Sequence, residues 1–485
     1  MAEISCVDVF SEDVTEFLRN TLCHQQDQKE QWSSWSEWLA TPPLWTVLRV
    51  NSHRITKAEA KVRLESFLAE HAKVNSACAG LSVVEHPHLD DALVVASPKT
   101  SPAPEPATKQ VIVGLQCGVA VLRGADVFAP GVLAMDTAVQ KGDTVSVYAD
   151  VNGLCRRGLT KPFDGAVQYV GNGRADISRY ALFHTEQPSG VAITMTQPLF
   201  TAPPLSGLHA DALFPQNLPS IVACHVLAPR PGETVLDMCA APGGKTTHIA
   251  SLMNDTGVVV ALDKSAARLK RVEENCQRLG ITCVRSYACD ARKSVARPTA
   301  ESPTASATLQ SPPFPPESFD RILLDGPCSA LGQRPQIRNS IPLKELQSFP
   351  PYQRQIFERA VELLRPGGVL VYCTCTVTLD ENEGAVAWAL AKFPCLRLAK
   401  QEPHLGGTGF TVDGLDSAQA ELVQRFSPSP AGSPCRHHPE SNSTEAAAAS
   451  LSSASSSDNA GCHSNAASVN NDTIGFFIAK FTKEL

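Results

Sequence analysis

Two cysteines and one acid are placed where they could act together. Asp325-Gly-Pro-Cys328 and Thr374-Cys375-Thr376 each put a thiol just past a short apolar run, Arg321 to Leu324 and Val369 to Tyr372. Such a pair suits one difficult reaction. Carbon 5 of cytosine is a poor nucleophile, but a thiolate adding to carbon 6 turns the ring into an enamine, and carbon 5 can then attack a methyl sulfonium. Afterwards a proton must leave carbon 5 and the thiolate must depart, so one Cys can be the nucleophile while the other assists release. Asp325 can hydrogen-bond the ring's N3 and amino group, help of a kind worth on the order of 100- to 10,000-fold. A single buried Cys is commonly just a small apolar residue. Two of them at strand ends, one beside an acid, argue for chemistry.

A partner for these thiols is suggested by Leu236-Asp-Met-Cys-Ala-Ala-Pro-Gly-Gly-Lys-Thr246. An apolar run feeds a turn of small residues, and a helical pattern starts at about Lys245. That geometry brings bare backbone close to a ligand and aims free N–H groups at it. A nucleotide phosphate, a dinucleotide and S-adenosylmethionine would all suit. A P-loop needs glycine where Cys239 stands, so an NTPase is disfavoured. Asp263, about 20 residues beyond the turn, lies where an acid holds ribose hydroxyls. Asp290, after the next apolar run, can take an adenine amino group. This series of acids suits the methyl donor better than a dinucleotide, because that ligand carries no phosphate and is cationic at sulfur.

The elements that must position these residues alternate, strand then helix, from about 204 to the end. Val235 to Met238, Val258 to Leu262, Thr282 to Ala288, Arg321 to Leu324 and Val369 to Tyr372 read as strands, with helices at Lys245 to Met253, Ser265 to Leu279 and Tyr352 to Leu364. The expected fold class is α/β, a doubly wound and mostly parallel sheet whose ligands lie at the C-terminal strand ends. Asp263, Asp290, Asp325 and Cys375 all fall there. Ile474 to Phe481 reads as a strand completing the sheet. Arg297 to Glu317 reads as a mobile loop, and 427–472, rich in Ser, Ala, Asn and Pro, as a disordered insert. Residues 1–109 read as a small α/β subdomain, with Arg49 and Asn51 on a solvated strand edge and 97–108 as a linker. Residues 110–203 read as a compact β-barrel of short strands and Gly-rich turns, with Gly171-Asn-Gly173 as a hairpin signal. Arg123, Phe128, Arg156 and Arg157 put cations and an aromatic near its turns. Single-stranded RNA binding needs such residues, although two unrelated surface features would look the same.

The 485 residues carry a formal net charge of -7, so a nucleic-acid partner would need a local basic patch. The 16 cysteines include no Cys-x-x-Cys pair, which argues against a metal. No signal peptide or membrane-spanning run is recognisable, and the expected setting is the reducing cytoplasm.

On these residues the chain resembles the Nop/Sun family of RNA cytosine-5 methyltransferases. The matching pieces are Gln216-Asn-Leu-Pro-Ser220, Asp237 to Thr246, Asp263, Asp290, Asp325-Gly-Pro-Cys-Ser329, Arg365-Pro-Gly-Gly368, Thr374-Cys-Thr376 and Glu381-Asn-Glu383. Residues 111 to 203 resemble a PUA domain, an RNA-binding barrel. The resemblance implies a Rossmann-like class I methyltransferase domain (204–485) using S-adenosylmethionine, with an N-terminal α/β subdomain and an inserted PUA barrel (110–203). It implies Cys375 as nucleophile, Cys328 as the thiol assisting release, and Cys239, Ala240, Ala241, Pro242, Gly243, Gly244, Lys245, Asp263, Asp290 and Asp325 lining the donor site. Lys245 and Asp325 would also lie near the target base. The implied partner is tRNA, bound by a monomer: the PUA barrel grips the 3′ CCA end through Arg123, Phe128, Arg156 and Arg157, and the target is the acceptor-stem cytosine at position 72. Two departures are Asp325-Gly-Pro-Cys-Ser-Ala330 for the usual Asp-Ala-Pro-Cys-Ser-Gly, and Cys373 for the usual Ser, for which packing is the expectation. The competing readings are the DNA-enzyme arrangement, with the Cys of Pro-Cys as nucleophile, and a non-catalytic RNA-binding protein keeping a vestigial fold.

Overall fold

The computed structural model describes residues 9–484 apart from 24–27, 75–78, 98–99, 101, 186–187, 204, 206–207, 209, 298–309, 429–468 and 471. Most of the expected mobile loop and disordered insert therefore lies outside the described residues.

Three sheets follow one another. The first is N-terminal, with β1 (Trp45–Val50), β2 (Val83–Glu85) and β3 (Ala92–Ala96), flanked by the helix Lys57–Val74. The second holds β4 (Lys109–Val113), β5 (Val127–Phe128), β6 (Val132–Met135), β7 (Thr144–Asp150), β8 (Val167–Ala175) and β9 (Val191–Pro198). Its strands run in the order β5-β9-β8-β7-β4-β6 around one apolar cluster that includes Val111, Val147, Val170 and Ile193. The chain then returns to the first sheet: β10 (Leu213–Pro215) pairs antiparallel with β1. Sequence reasoning started the third unit at 204, yet residues 213–215 complete the first sheet.

The third sheet contains β11 (Thr234–Asp237), β12 (Val258–Asp263), β13 (Val284–Ala288), β14 (Phe319–Asp325), β15 (Leu364–Thr374), β16 (Leu396–Leu398), β17 (Gln424–Phe426) and β18 (Phe476–Lys483). The order is β13-β12-β11-β14-β15-β18-β16, with β17 also on β18. The first five are parallel and β18 runs antiparallel against β15. The order reverses between β11 and β14, and a ligand crevice opens at the carboxyl ends flanking such a switch point. The helices have local causes. Ala266–Leu279 is capped at Ser265, whose side chain accepts from Arg268 N, ends at Gly280 in the left-handed region (φ +72°), and buries Leu269, Val272, Cys276 and Leu279 at three- and four-residue spacing.

Two expectations fail for physical reasons. Gly171-Asn-Gly173 is no turn; it lies inside β8, beside register shifts on both neighbours. A Cβ on Gly171 would meet Gln197 O at 2.7 Å, so the glycines permit close backbone approach at a bulge. Arg49 and Asn51 are not solvated; both are buried. Arg49 donates to Gly244 O (3.2 Å) and Thr247 Oγ1 (3.0 Å), and Asn51 Nδ2 to Leu279 O (2.9 Å), fastening the first sheet to the third unit.

A third fastening gave no sequence signal. Asp91, just before β3, accepts from His225 Nε2 (2.9 Å) and His248 Nε2 (2.6 Å) of two helices in the third unit. The three could offer ligand atoms to a metal, lying within 4.8 Å of one another. Both imidazoles, however, already use Nε2 on the carboxylate. Burial opposes the Asp91 charge, but His248 and His225 outweigh it and hold the carboxyl well below its usual range. The stretch 97–108, expected as a linker, is anchored at Thr100, whose hydroxyl donates to Pro198 O at 2.8 Å.

Candidate active site

The parallel strands bring Asp237, Asp263 and Asp325 to one edge as last residues of β11, β12 and β14. Asp290 follows β13, and Cys375 follows β15. The turn 238–243 is tied by Met238 N to Leu323 O (3.1 Å) and Ala240 N to Leu262 O (2.7 Å). Gly243 has φ +101°, and a Cβ there would sit 3.0 Å from Val272 Cα, so the neighbouring helix passes too close for a side chain. The helix Gly244–Leu252 starts directly afterwards with no side-chain cap among the described residues, which leaves its N-terminus suited to an anionic group. Cys239 packs against the apolar layer, and burial raises its thiol well above the usual range.

S-adenosylmethionine fits these residues. Asp237 Oδ2 accepts from Thr246 Oγ1 (2.7 Å), while its buried Oδ1 has no partner among the described residues. Burial lifts this carboxyl to about 7, so it calls for a cation such as the donor's ammonium. Asp263 Oδ1 accepts from Ser265 N (2.8 Å), and Oδ2 lies 3.5 Å from Arg268 Nη1. Asp290 is less open than expected. Arg292 donates to it from Nε (3.0 Å) and Nη2 (2.7 Å), and these bonds lower its carboxyl. An adenine amino group would have to share the carboxylate with Arg292.

Beside this edge the two thiols meet. Cys328 Sγ lies 3.4 Å from Cys375 Sγ, in contact but far beyond a disulfide bond. The hydrogen bond from Cys328 is the main cause holding the Cys375 thiol below its usual range, against burial. Lys245 Nζ donates to Asp325 Oδ2 at 2.7 Å and rests 5.3 Å from the centre of the Phe476 ring. Burial opposes the Lys245 charge, but Asp325 overcomes it, and the ammonium is raised above its usual range. Cys373 does more than pack: its Sγ lies 3.5 Å from Asp325 Oδ1 as a donor, so both oxygens of that carboxylate are steered.

A buried network fixes both thiol loops. Glu381 Oε1 accepts from Ser329 Oγ (2.5 Å) and Thr378 Oγ1 (2.8 Å), and Oε2 from Ser329 N (3.0 Å) and Gln353 Nε2 (2.8 Å). Ser329 Oγ also meets Thr376 Oγ1 at 2.6 Å, and Gly332 N donates to Cys375 O at 2.9 Å. Glu381 belonged to a recognised motif, but its role could not be read from spacing, because its partners lie on three separate segments.

The four residues expected to bind RNA are not equivalent. Phe128 is 46% exposed, and Arg156 is exposed. Arg157 Nη1 donates to Val132 O (2.6 Å) and Pro130 O (3.2 Å), bracing the turn behind Phe128. Arg123 Nε donates to Arg334 O (2.8 Å), joining the second sheet to the third unit. Arg334 itself donates to Trp38 O (2.6 Å), Thr473 O (2.7 Å) and Asp472 Oδ1 (2.6 Å), so all three units and the end of the 427–472 stretch converge on it.

A mixed sheet with five parallel strands in this order, a Gly-rich turn entering a helix and acids at successive strand ends define an S-adenosylmethionine-dependent methyltransferase. Residues 224–427 match the family described as "16S rRNA methyltransferase RsmB/F". The chain is 42% identical over 468 residues to the Homo sapiens tRNA (cytosine(72)-C(5))-methyltransferase NSUN6, covering 96% of this chain and 93% of that protein. It is 33% identical over 427 residues to the Pyrococcus horikoshii tRNA (cytosine(72)-C(5))-methyltransferase, covering 87% and 94%. The crystal structure of NSun6 from Pyrococcus horikoshii with SFG superposes with a TM-score of 0.71 at 30% identity, covering 98% of this chain and 99% of that one. The chain belongs to the RsmB/F, or Nop/Sun, family of RNA cytosine-5 methyltransferases. No helix among the described residues is long and apolar enough to cross a membrane.

Proposed function

We propose that this protein methylates carbon 5 of the cytosine at position 72 of tRNA, the reaction named for its full-length relatives. The observation that carries the reading is the thiol pair, 3.4 Å apart, beside the Lys245–Asp325 ion pair at the switch point of the sheet. Cys375 is the nucleophile: its thiolate accepts a hydrogen bond from Cys328 and adds to carbon 6. Asp325 accepts a hydrogen bond from the ring's amino group, which holds the N3 edge of the base in place as Cys375 adds to carbon 6. Lys245 holds Asp325 in place through their ion pair. When bound, S-adenosylmethionine supplies an electrophilic methyl group, which carbon 5 of the activated ring accepts. Cys328 then assists loss of the carbon 5 proton and departure of Cys375. Cys239 to Lys245, Asp237, Asp263 and Asp290 hold the donor.

The second unit acts in this reading as a PUA barrel gripping the unpaired CCA end, with Phe128 and Arg156 meeting the RNA and Arg123 and Arg157 holding the barrel in position. A base at position 72 must leave its stack to reach Cys375, and near a helix end the cost is small. The setting is the cytoplasm, where the thiols stay reduced.

The test is transfer of labelled methyl groups to unmodified tRNA, with bisulfite sequencing of the product. A single new 5-methylcytosine at position 72 is the expected result. Absence of transfer to every tRNA species by well-folded protein would favour a non-catalytic RNA-binding protein instead.

A further inference from the structure

We infer that Gln216 and Trp45 form a second base-binding subsite, which takes the unpaired nucleotide on the 3′ side of the target cytosine and reads the edge of its base. The inference rests on the tRNA reading above. A cavity of about 500 Å³ runs from Lys245 and Asp325, past Gln216 and Trp45, to Arg123 and Phe200 at the barrel side. Its Asp237, Ala240, Pro242 and Gly244 end is the donor site, and the remainder, past Gln216 and Trp45, has room for a nucleotide and joins the catalytic edge to the unit proposed to hold the RNA end. A strand whose target base is at Cys375 and whose terminus is at the barrel must pass this wall.

The wall is chemically incomplete. Gln216 is 9% exposed, and neither its Nε2 nor its Oε1 has a hydrogen-bond partner among the described residues. Trp45 Nε1 is likewise buried and unpaired. Leaving such groups unmet costs about 1–3 kcal/mol each, so they point to a ligand that supplies the partners. A carboxamide presents a donor and an acceptor side by side, the complement of a base edge. Unpaired RNA bases are read in that way, on exposed edges beside aromatic rings, and Phe214 lies next to Gln216 on the same wall. The donor's charged groups are already matched by Asp237 Oδ1 and the start of the helix Gly244–Leu252, whereas a neutral amide suits a neutral base.

The experiment uses the full chain and four tRNA transcripts differing only in the nucleotide 3′ to the target. Wild-type protein is expected to separate best from worst by about 10-fold or more in kcat/KM and in donor-free RNA binding, as one lost base contact produces. Gln216→Ala should reduce that spread to within about 3-fold, and Trp45→Phe, which removes the N–H while keeping an aromatic ring, should narrow it partly, with donor Kd and Tm unchanged. An unaltered spread in Gln216→Ala, no spread in wild type, or a weakened donor Kd would each overturn the subsite. Wild-type protein that transfers no methyl group to any transcript would instead overturn the function on which the subsite rests.

Discussion

At the scale of single residues, the site depends on neighbours that hold its acid and its thiol loops in place. Lys245→Met removes the partner of Asp325 at the point where the base must be held. Transfer should fall about 100-fold or more, the range for a positioned acid–base group, while Tm stays near wild type, since methionine keeps the apolar stem against Phe476. Glu381→Ala acts differently. It touches neither base nor donor but frees Ser329, Thr378 and Gln353 at once. We expect kcat to drop with donor Kd unchanged and Glu381→Gln to restore part of it, as for a positioning residue. The placement of this candidate site was legible in advance, because an acid or thiol stands at or just past the end of each parallel strand and the turn between Asp237 and Gly244 has few alternative uses. The steering of Asp325 by Cys373 was not legible. That contact is made across paired strands, through the register Asp325–Cys373, and register cannot be read from one strand alone.

At the scale of elements, the first sheet is fastened to the third unit by Arg49, Asn51 and Asp91. Sequence patterning misplaced the first two, because a polar side chain at the end of a strand reads as solvated until a helix terminus covers it. Burial lowers the His248 imidazole to about 4 from its ordinary 6.5. The native fold therefore excludes a proton that the unfolded chain takes up. This contribution to stability is complete above about 6.5 and is lost as pH falls toward 4. Asp91, held below 3.8, loses its own contribution only at still lower pH. Asp237, raised to about 7, opposes both, since its cost grows as pH rises toward 7. Comparing wild type with His248→Gln isolates the histidine: their difference in urea midpoint should shrink as pH falls from 6.5 to 4. Asp91→Ala at neutral pH leaves the buried His248 N–H unmet and should cost about 1–3 kcal/mol by the same measurement.

At the scale of the whole molecule, three units meet around one cavity, and Arg334 joins them. The second sheet supplies only part of the RNA-binding surface expected from Arg123, Phe128, Arg156 and Arg157, because Arg123 and Arg157 are committed to carbonyl groups of this chain. Arg156→Ala and Phe128→Ala should weaken tRNA binding about 10-fold together, by loss of one phosphate contact and one stacking surface, with Tm unchanged. Arg157→Ala should lower Tm as well, because the turn 129–132 loses its brace. The alternation of strands and helices made the third unit readable as a fold, whereas the return of β10 to the first sheet was not, since three residues carry no periodicity. What these units together position is Cys375, and the most direct test is covalent. Intact Cys328→Ala protein, incubated with unmodified tRNA and donor, should accumulate a protein–RNA adduct that survives denaturing electrophoresis, and Cys375→Ala should accumulate none. An adduct trapped by Cys375→Ala and absent from Cys328→Ala would contradict the account and make Cys328 the nucleophile.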